Sequence, residues 1–316
     1  MILIITITDD LHALNVQRVL AKRGYHDCHV FECDRISAEH YVYWMAAADK
    51  QEGYLRTGEG REINVGELEL IWWRRVNANQ DLAETIADNQ HVRLINNDCR
   101  GALNGILSSC FEGKWISNPQ ATDQACDKVY QLAVARRAGF RIPETLISQS
   151  IDEVKNFCER LNGNVIVKPV AGVAGPLLFT QFVGDPTRLD PKSYRICPAV
   201  YQEYIPGTQH IRLNCFGDQS FAAIIETSDL DWRPNLNVPI RNWEVPQSLH
   251  QQVRTVLDRL GLAMGVIDLK QTPEGEYVWL EVNPQGQFLF LEPLAKIPLS
   301  EHFADYLISQ VNWLER

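Results

Sequence analysis

Residues 265–284 read GVIDLKQTPEGEYVWLEVNP, which is two runs rich in strand-forming residues joined by a Pro/Gly turn. This arrangement predicts a β-hairpin. If the turn centres on residues 274–275, Asp268 faces Glu281 across the ladder, and paired residues project from the same face of a sheet. Asn283 lies two residues beyond Glu281 and shares that face. Two carboxylates and an amide oxygen that converge in this way suit Mg²⁺, which binds carboxylates together with substrate phosphates.

The alternative interpretation of this hairpin is an ordinary acidic face, because Asp and Glu side chains are usually exposed to water. Both carboxylates, however, have apolar neighbours in sequence: Ile267, Leu269, Leu280 and Val282. Strands of this composition belong in a core, so the carboxylates form an acidic patch on one side of it. We therefore interpret the hairpin as a cation site.

Two lysines elsewhere in the chain suit the phosphates of a nucleotide. Residues 164–169 form a predicted strand that ends near Lys168 and continues into a glycine-containing turn at 171–175. A lysine beside exposed backbone N–H groups suits a phosphate, although the lack of GKS or GKT after the glycines excludes a Walker motif. Lys128, at the beginning of a predicted helix, is the second candidate. The alternative for each is an ordinary surface lysine.

A further segment and two arginines suit other parts of a nucleotide. Residues 201–207, YQEYIPG, form an extended segment whose backbone suits the edge of an adenine ring while apolar side chains cover its face. An ordinary connecting strand is the alternative. Arg212 and Arg233 carry planar guanidinium groups that bind phosphoryl oxygens, although single arginines are more often surface residues.

The bulk composition excludes several classes of protein. The 316 residues include 45% hydrophobic residues, enough for two or three lobes that need no disulfide or structural metal. The longest apolar stretches fall short of the roughly 20 residues that span a bilayer, which predicts a cytoplasmic protein without a membrane partner. The net charge of -10 disfavours nucleic acid, whose phosphates require a concentrated basic face. Eight scattered cysteines without a CxxC pair indicate neither zinc nor a disulfide framework.

The apolar pattern predicts two kinds of structure in succession. A buried strand at residues 1–8 and a helix that stops near Gly24 begin a β-α-β rhythm, which continues to about residue 118. Beyond Pro119, the pattern predicts a helix over 123–138 and then a mixture of strands and helices. The sequence therefore predicts an α/β lobe followed by an α+β region.

Six segments, taken in order, resemble the motifs of the ATP-grasp ligases over roughly residues 119–316: DK…ARRAGFRIPET, VIVKP, YQEYI, HIRLNCFG, GVIDLK and LEVNP. Their order and spacing are far more specific than any one of them. The resemblance implies an α/β N-terminal (pre-ATP-grasp) lobe at 1–118, followed by an α+β ATP-grasp fold that binds the nucleotide between two subdomains, 119–200 and 201–316. It also implies ATP and Mg²⁺ as cofactors.

The same resemblance implies roles for individual residues. The residues that it assigns to ATP binding are Lys128, Lys168 and the adenine hinge Gln202, Glu203, Tyr204 and Ile205, to which we add His210. The residues that it assigns to Mg²⁺ are Asp268, Glu281 and Asn283. It points to Arg212 as a contact of the transferring phosphoryl group, and we add Arg233 and Lys168 to the catalytic residues from their charge.

Three more segments resemble the microviridin-type graspetide synthetases, which join acidic side chains of a ribosomal peptide to Ser/Thr hydroxyls or Lys amines. These segments are IWWRR at 71–75, DWR at 231–233 and EVNPQGQFLFLE at 281–292. This resemblance implies a precursor peptide with a leader and an acidic and hydroxyl-bearing core as the partner, and it leaves a homodimer open. Arg74 and Arg75 suit the binding of such an acidic peptide. Core packing is the alternative interpretation of the preceding tryptophans.

The chain departs from the ATP-grasp pattern at two places. Such ligases commonly have Asp-x-Arg after the hinge, whereas this chain has His210-Ile-Arg212. The usual acidic nucleotide contact is therefore missing or supplied elsewhere, and Glu203 is one candidate replacement. The loop 171–176 lacks the hydroxyl residues that are frequent there, which leaves backbone N–H groups to contact the phosphate.

We expect a ligase that activates peptide Asp or Glu carboxylates as acyl phosphates and joins them to hydroxyls or amines. A ligase that adds a free amino acid to a peptide or small molecule is the first alternative. A nucleotide-binding regulator without turnover is an alternative from another class. The sequence does not distinguish ester from amide products.

Overall fold

The computed structural model describes residues 1–76, 79–82, 86, 88–171, 178–186 and 191–311. The strands are, in chain order, β1 (Ile2–Thr6), β2 (Cys28–Glu32), β3 (Tyr41–Ala46), β4 (Gln51–Arg56), β5 (Glu62–Asn64), β6 (Leu70–Trp73), β7 (Lys114–Ile116), β8 (Thr145–Ser148), β9 (Val165–Lys168), β10 (Gln181–Phe182), β11 (Ala199–Glu203), β12 (Gln209–Phe216), β13 (Gln219–Glu226), β14 (Ile240–Trp243), β15 (Met264–Gln271) and β16 (Tyr277–Asn283). The helices are α1 (Leu11–Lys22), α2 (Asn89–Cys110), α3 (Pro119–Ala125), α4 (Lys128–Arg137), α5 (Ile151–Arg160), α6 (Pro191–Tyr194), α7 (Gln247–Leu260), α8 (Leu291–Ala295) and α9 (Leu299–Val311), with a 3₁₀ turn at Val65–Glu67.

The chain divides into two compact units. The first unit comprises Met1–Pro119 together with Leu262–Met264 and the C-terminal segment Pro298–Arg316. The second unit comprises Gln120–Gly261 and Gly265–Ile297. The predicted boundary at residue 118 lies beside the end of the first segment, but α9 belongs to the first unit rather than to the predicted subdomain 201–316. The division of the second unit at residue 200 stays a prediction.

The first unit contains a parallel sheet with the strand order β2-β1-β6-β7. All five residues of β1 are buried, as expected for a parallel strand with both of its faces covered. On one face, Leu3 and Ile5 join a core that includes Leu107 of α2. On the other face, Trp72 of β6 packs edge-on against Phe303 of α9, with ring centroids 4.7 Å apart. The buried strand predicted at the start of the chain is confirmed.

A small antiparallel sheet with the order β3-β4-β5 also belongs to the first unit. The sequence pattern does not predict it. In β3, the large side chains of Tyr41, Tyr43 and Trp44 are all substantially exposed. No apolar face of period two results, and that period is the signal by which a half-buried strand is recognised.

The second unit contains two antiparallel sheets. The first has the order β10-β9-β11-β8 and packs against α5 through a core that includes Phe157, Val165 and Tyr201. The second has the order β14-β13-β12-β15-β16, and α4 and α7 pack beside it. In this second sheet β15 lies between β12 and β16, so its side chains have neighbours on both sides. The α+β character predicted for this part of the chain is present.

The helix predicted over 123–138 is wrong in one respect, because the structure has two helices there. α3 ends at Ala125, and α4 begins at Lys128. Between them, the Asp127 carboxylate accepts a hydrogen bond from the backbone N–H of Tyr130 at 2.9 Å and caps α4. An aspartate that bonds its own backbone in this way favours a helix start over a helix interior. The cap places Lys128 in the first turn of α4.

Within the described ranges, no helix is both long enough and apolar enough to cross a membrane. The cytoplasmic location stays a prediction.

Candidate active site

A cavity of about 320 Å³ lies within the second unit. Residues of both sheets line it: Ile166, Lys168 and Gln202 come from β9 and β11, and His210, Asp268, Lys270, Leu280 and Glu281 come from β12, β15 and β16. A volume of this size falls in the range typical of small-molecule sites. The cavity therefore brings together the lysine, hinge and hairpin segments that the sequence singled out separately.

Asp268 of β15 and Glu281 of β16 form a pair of facing carboxylates, the acidic rung. The β15–β16 register pairs these two residues directly, with a bulge between Asp268 and Leu269. The predicted pairing of the two carboxylates across the ladder is confirmed. Burial raises the pKa of Asp268, the nearby guanidinium of Arg212 opposes this, and the facing carboxylate of Glu281 reinforces it. Two carboxylates that face each other with too little positive charge between them favour an additional cation.

Arg212 of β12 is held from two directions. Its Nη1 donates to Asp268 Oδ2 at 2.7 Å, and its Nη2 donates to the backbone carbonyl of Gln287 at 3.1 Å. The guanidinium also lies over the Trp232 ring, 5.9 Å from the centroid. These contacts hold the planar guanidinium in one orientation, so little side-chain entropy is lost when it binds a ligand.

The two predicted lysines meet at the same part of the cavity. Lys168 is the last residue of β9, and Lys128 Nζ donates to the backbone carbonyl of Pro169, the next residue, at 3.1 Å. Burial lowers the pKa of Lys168, and the carboxylate of Glu281 opposes that shift. Two ammonium groups held close to one another are stabilised by an anion, and phosphate is the anion that such a pair suits.

The predicted adenine hinge is built by β11 and the residues that follow it. The N–H groups of Glu203 and Tyr204 are used inside the protein, where they donate to the carbonyls of Glu144 and Asn164 at 2.8 and 2.9 Å. Within the described part of the chain, the N–H of Ile205 has no acceptor, and Ile205 lines the cavity. This N–H is the donor that the hinge offers to the edge of a heterocycle.

The side chain of Glu203 does not supply the acidic contact suggested as a replacement. Arg141 Nη2 donates to one of its carboxylate oxygens at 2.9 Å, and the backbone N–H of Glu144 donates to the other at 3.0 Å. Both oxygens are therefore engaged in holding the hinge. Gln202 has a similar role, because its Nε2 donates to Thr145 Oγ1 at 2.9 Å.

His210 lines the cavity, where it pairs with Lys270, a residue that the sequence interpretation did not single out. Its Nε2 lies 2.8 Å from Lys270 Nζ, and both side chains are buried. Burial, together with the charge of Lys270, lowers the pKa of His210 to about 4. Burial likewise lowers the pKa of Lys270 to about 8. The imidazole is therefore neutral near pH 7.

Arg233 lies at another wall of the cavity. Its Nε donates to Asp231 Oδ1 at 2.8 Å, and Asp231 Oδ2 accepts the N–H of Thr180 at 3.3 Å. The guanidinium lies over the Phe179 ring, 5.8 Å from the centroid. The DWR segment thus contacts residues 178–180 and carries its arginine to the cavity.

The acidic rung fits Mg²⁺, although not as a complete protein cage. Within the described ranges, no cluster of three or more Asp, Glu, His or Cys side chains is arranged to hold a metal. Asn283 is exposed, and its Oδ1 accepts the N–H of Gln285 at 3.1 Å. Mg²⁺ commonly uses one or two carboxylates and completes its shell with waters and substrate phosphates. Asp268 and Glu281 supply that donor set.

Comparison with known proteins shows what the chain is similar to. A family model described as the MvdD pre-ATP grasp domain matches residues 1–123. The macrocyclase MdnC from Microcystis aeruginosa MRC, solved with the precursor peptide MdnA, is 26% identical, covers 97% of this chain and 98% of its own, and has a TM-score of 0.86. A RiPP-associated ATP-grasp ligase of Chryseobacterium gregarium, solved with ADP and a leader and core peptide, is 25% identical, covers 98% and 96%, and has a TM-score of 0.85.

Over nearly its whole length, the chain is similar in sequence and in fold to ATP-grasp ligases. A further relative is the α-aminoadipate–LysW ligase LysX of Sulfurisphaera tokodaii, which is 25% identical over 251 residues, 75% of this chain and 86% of that protein. The predicted fold class, an α/β pre-ATP-grasp lobe followed by an α+β ATP-grasp fold, is confirmed.

The two arginines predicted to bind substrate occupy different environments in this ligase. Arg74 is fully buried, and its Nε lies 3.2 Å from Asp10 Oδ2. Arg75, the next residue, is exposed. Substrate binding by both arginines stays a prediction, and of the two only Arg75 is accessible from the surface in this structure. The predicted phosphate contact of the loop 171–176 lies, beyond residue 171, outside the described residues.

The cavity and its hinge also contain residues that the sequence interpretation overlooked. Lys270, Asp231 and Thr180 line the cavity, and Arg141 anchors the hinge. A signal was present for Lys270, since it follows Asp268 by two residues on a strand and side chains two apart share a face. No comparable signal marks Arg141, because its contact with Glu203 depends on the tertiary packing of distant segments.

Proposed function

We propose that this ATP-grasp ligase is a graspetide-type synthetase. It activates Asp or Glu side chains of a ribosomal precursor peptide as acyl phosphates and joins them to Ser or Thr hydroxyls or to Lys amines. The observation that carries the proposal is the cavity that places the acidic rung, two lysines and a hinge together in a chain that matches the peptide-bound MdnC over 97% of its length. The peptide partner and ATP come to this chain from that likeness and from the ADP-bound ligase of Chryseobacterium gregarium.

In the proposed complex, adenine lies against the hinge and the phosphates lie against the lysines. The N–H of Ile205 donates to the purine edge, while Ile166 and Leu280 supply apolar walls. Lys128 and Lys168 donate to phosphate oxygens. Burial lowers the pKa of Lys168, and an anionic ligand beside the ammonium group would oppose that shift.

Asp268 and Glu281 would hold Mg²⁺ beside the phosphates, with Asn283 as the further predicted ligand. When bound, this ion supplies positive charge to the phosphate oxygens and orients them. The protein's own contribution is the spacing of the two carboxylates, which the β15–β16 register sets in the absence of a ligand. Arg212, anchored on Asp268 and on the Gln287 carbonyl, adds a guanidinium at the same place.

The chemistry proceeds in two transfers. A peptide carboxylate oxygen bonds to the γ-phosphorus of ATP while the bond to the β,γ-bridging oxygen breaks, which gives an acyl phosphate and ADP. A hydroxyl or amine then bonds to the acyl carbon, loses its proton and displaces inorganic phosphate. Arg212, Arg233 and Lys168 offset the negative charge that two anionic reactants bring together, which is the main electrostatic obstacle to the first transfer.

A precursor peptide with a leader and a core of acidic and hydroxyl-bearing residues is the proposed partner, and Arg75 offers it an exposed cation in the first unit. Substrate binding by Arg74, a homodimer and the choice between ester and amide stay predictions.

The decisive experiment is mass spectrometry of a precursor peptide incubated with the protein, ATP and Mg²⁺. Each intramolecular condensation should remove one water from the peptide. Glu281→Gln should abolish the modification, whereas Glu274→Gln, an exposed carboxylate in the turn of the same hairpin, should leave it intact. Full modification by Glu281→Gln would contradict the assigned role of the acidic rung.

The same experiment separates the second candidate, a ligase that adds a free amino acid. The similarity to LysX over 75% of this chain favours it specifically. Intermolecular ligation raises the mass of the acceptor, whereas macrocyclisation lowers it by water. A nucleotide-binding regulator would change no peptide mass and release no phosphate on addition of substrate.

A further inference from the structure

The buried pair formed by Lys270 and His210 has no role in the phosphate chemistry described above. Their exposed fractions are 4% and 5%, and both line the cavity. Within the described residues, no Asp or Glu lies within ion-pair distance of Lys270. A nearly buried ammonium group without a carboxylate partner is costly, unless a ligand with acceptor oxygens completes its surroundings.

The hydrogen-bond roles of this pair can be assigned from its chemistry. An ammonium group only donates, so His210 Nε2 must accept from Lys270 Nζ at 2.8 Å. The imidazole proton therefore lies on Nδ1, which is consistent with the hydrogen bond between His210 and the backbone of Asp229. The neutral ring holds the lysine in one rotamer and leaves the other ammonium N–H groups for a ligand.

The position of Lys270 along the cavity identifies the part of a nucleotide that it faces. Lys270 follows Asp268 by two residues on β15, which separates their Cα atoms by about 7 Å. On its other side, Gly207 of the post-hinge turn adopts φ 120°, and a Cβ there would come within 2.3 Å of the Gln271 carbonyl oxygen. The end of the hinge therefore packs directly beside Lys270, which lies between the hinge and the acidic rung.

We propose that Lys270, positioned by neutral His210, donates hydrogen bonds to the ribose–α-phosphate portion of the bound nucleotide. This inference rests on the proposed function, which puts adenine at the hinge and the terminal phosphates at the acidic rung. The pair supplies a cationic donor in the chain whose hinge lacks a carboxylate directed at the ribose, since the oxygens of Glu203 are engaged by Arg141 and Glu144.

Calorimetric titration of adenosine, AMP, ADP and ATP tests the contact. Lys270→Met should weaken AMP, ADP and ATP binding by about ten- to a hundredfold, as expected for a hydrogen bond from a charged donor. A loss that already appears with adenosine assigns the contact to the ribose, and one that first appears with AMP assigns it to the α-phosphate. Lys22→Met, at an exposed lysine of the first unit, is the matched control and should bind as the wild type does. Unchanged AMP affinity, or a loss confined to ADP and ATP, would overturn the proposal.

His210 is tested as a positioning residue by a double-mutant cycle. His210→Gln keeps an acceptor for the ammonium and should retain AMP affinity, whereas His210→Leu should lose most of what Lys270→Met loses. In the Lys270→Met background, His210→Leu should cost nothing further, because its effect acts through the lysine. Additive losses would contradict this role. If Lys270→Met fails to fold by its thermal transition, Lys270→Gln takes its place in the cycle.

The outcome also separates this inference from the proposed function. The KM for ATP should rise in Lys270→Met while kcat for peptide modification is largely kept. A wild-type protein that modifies the peptide, with a Lys270→Met variant of unchanged nucleotide affinity, would refute only the lysine contact. A wild-type protein with the predicted affinity pattern and no peptide modification would refute only the synthetase. Failure of the wild type to bind ATP would refute both.

Discussion

Each of the two units contains an aspartate paired with an arginine, Asp10 with Arg74 in the first and Asp268 with Arg212 in the second. Burial disfavours the ionised carboxylate in both places. At Asp10, the hydrogen bond with His12, the charge of Arg74 and the Thr6 hydroxyl outweigh burial and hold the pKa far below its usual range. At Asp268, burial and the charge of Glu281 outweigh the charges of Arg212 and Arg233, and the pKa is raised.

The difference lies in the number of partners rather than in the type of pair. Asp10 Oδ2 accepts the Thr6 hydroxyl at 2.7 Å, and its Oδ1 accepts the N–H of His12 at 3.0 Å, where it caps α1. Asp268 has Arg212 at 2.7 Å and faces the carboxylate of Glu281. Several donors hold Asp10 in its ionised form and stabilise the fold, whereas Asp268, which has fewer donors and lies in a cavity, favours the binding of a cation.

The largest expected effect is on the pair of the first unit, Asp10 with Arg74. Asp10→Asn leaves the guanidinium of Arg74 buried without its counter-charge, which should reduce the free energy of unfolding by about 3–5 kcal/mol. Urea denaturation measures this loss. Asp9→Asn, at the exposed neighbouring position with φ 58°, is the control and should stay within about 0.5 kcal/mol of the wild type. Equal stability of the two variants would remove the distinction drawn between the pairs.

The next effect separates activity from stability at the other pair. Asp268→Asn should lower kcat for peptide modification by roughly 10²–10³-fold, because it removes one carboxylate of the acidic rung. The free energy of unfolding of the ligand-free protein should change by less than about 1 kcal/mol, because the raised pKa of Asp268 means that its ionised form already costs folding free energy, which the neutral amide avoids. Kinetics and urea denaturation of the same preparation test both statements. A large stability loss without an activity loss would assign Asp268 to the fold instead.

Addition and removal of Mg²⁺ should have a smaller effect, on the free energy of unfolding of the nucleotide-bound protein. Mg²⁺ and ADP together, each at about 100 times its dissociation constant, should raise the free energy of unfolding of the wild type by at least about 2.7 kcal/mol. Chelation of Mg²⁺ should remove part of this gain in the wild type. In Glu281→Gln, the addition of a chelator should make little difference, which thermal denaturation can measure. Equal sensitivity of both proteins to the chelator would place the ion elsewhere.

The smallest expected effect is the pH dependence of the stability that Asp10 contributes. The pKa of Asp10 is lower in the folded than in the unfolded protein, so its contribution is complete above about pH 4 and is lost as the pH falls. The difference in free energy of unfolding between wild type and Asp10→Asn should therefore shrink by about 1.4 kcal/mol per pH unit below pH 4. Urea midpoints between pH 6 and pH 3 measure it, and a constant difference would contradict the lowered pKa.

Local patterns in the sequence were sufficient for the hairpin and insufficient for its surroundings. The facing of Asp268 and Glu281 was predicted from one short turn and two adjacent strands, but the bulge between Asp268 and Leu269, which shifts the register by one residue on the turn side of this pair, was not predicted. The burial of Arg74 could not, because its partner Asp10 is far away in the chain. Side-chain chemistry alone predicts an arginine that binds an anion, and it does not distinguish a peptide from a buried carboxylate.

The same limit explains the other differences from prediction. The break between α3 and α4 depends on the side chain of Asp127 bonding its own helix start, which competes with a helical pattern that continues through it. The carboxylate of Glu203 is directed to Arg141 by packing between segments that are distant in the chain. Candidate site residues could therefore be named by type and spacing, while their actual partners required the tertiary structure.

The last described helix, α9, completes the unit that the first strand begins. Asn15 of α1 donates to Ser300 Oγ at 2.7 Å, Arg23 pairs with Glu301, and Phe303 covers Trp72. During synthesis, residues 299–311 must therefore leave the ribosome before the sheet of the first unit is covered on that face. The cavity-bearing unit contains no segment beyond Ile297, so it can reach its folded state earlier than the unit that precedes it in sequence.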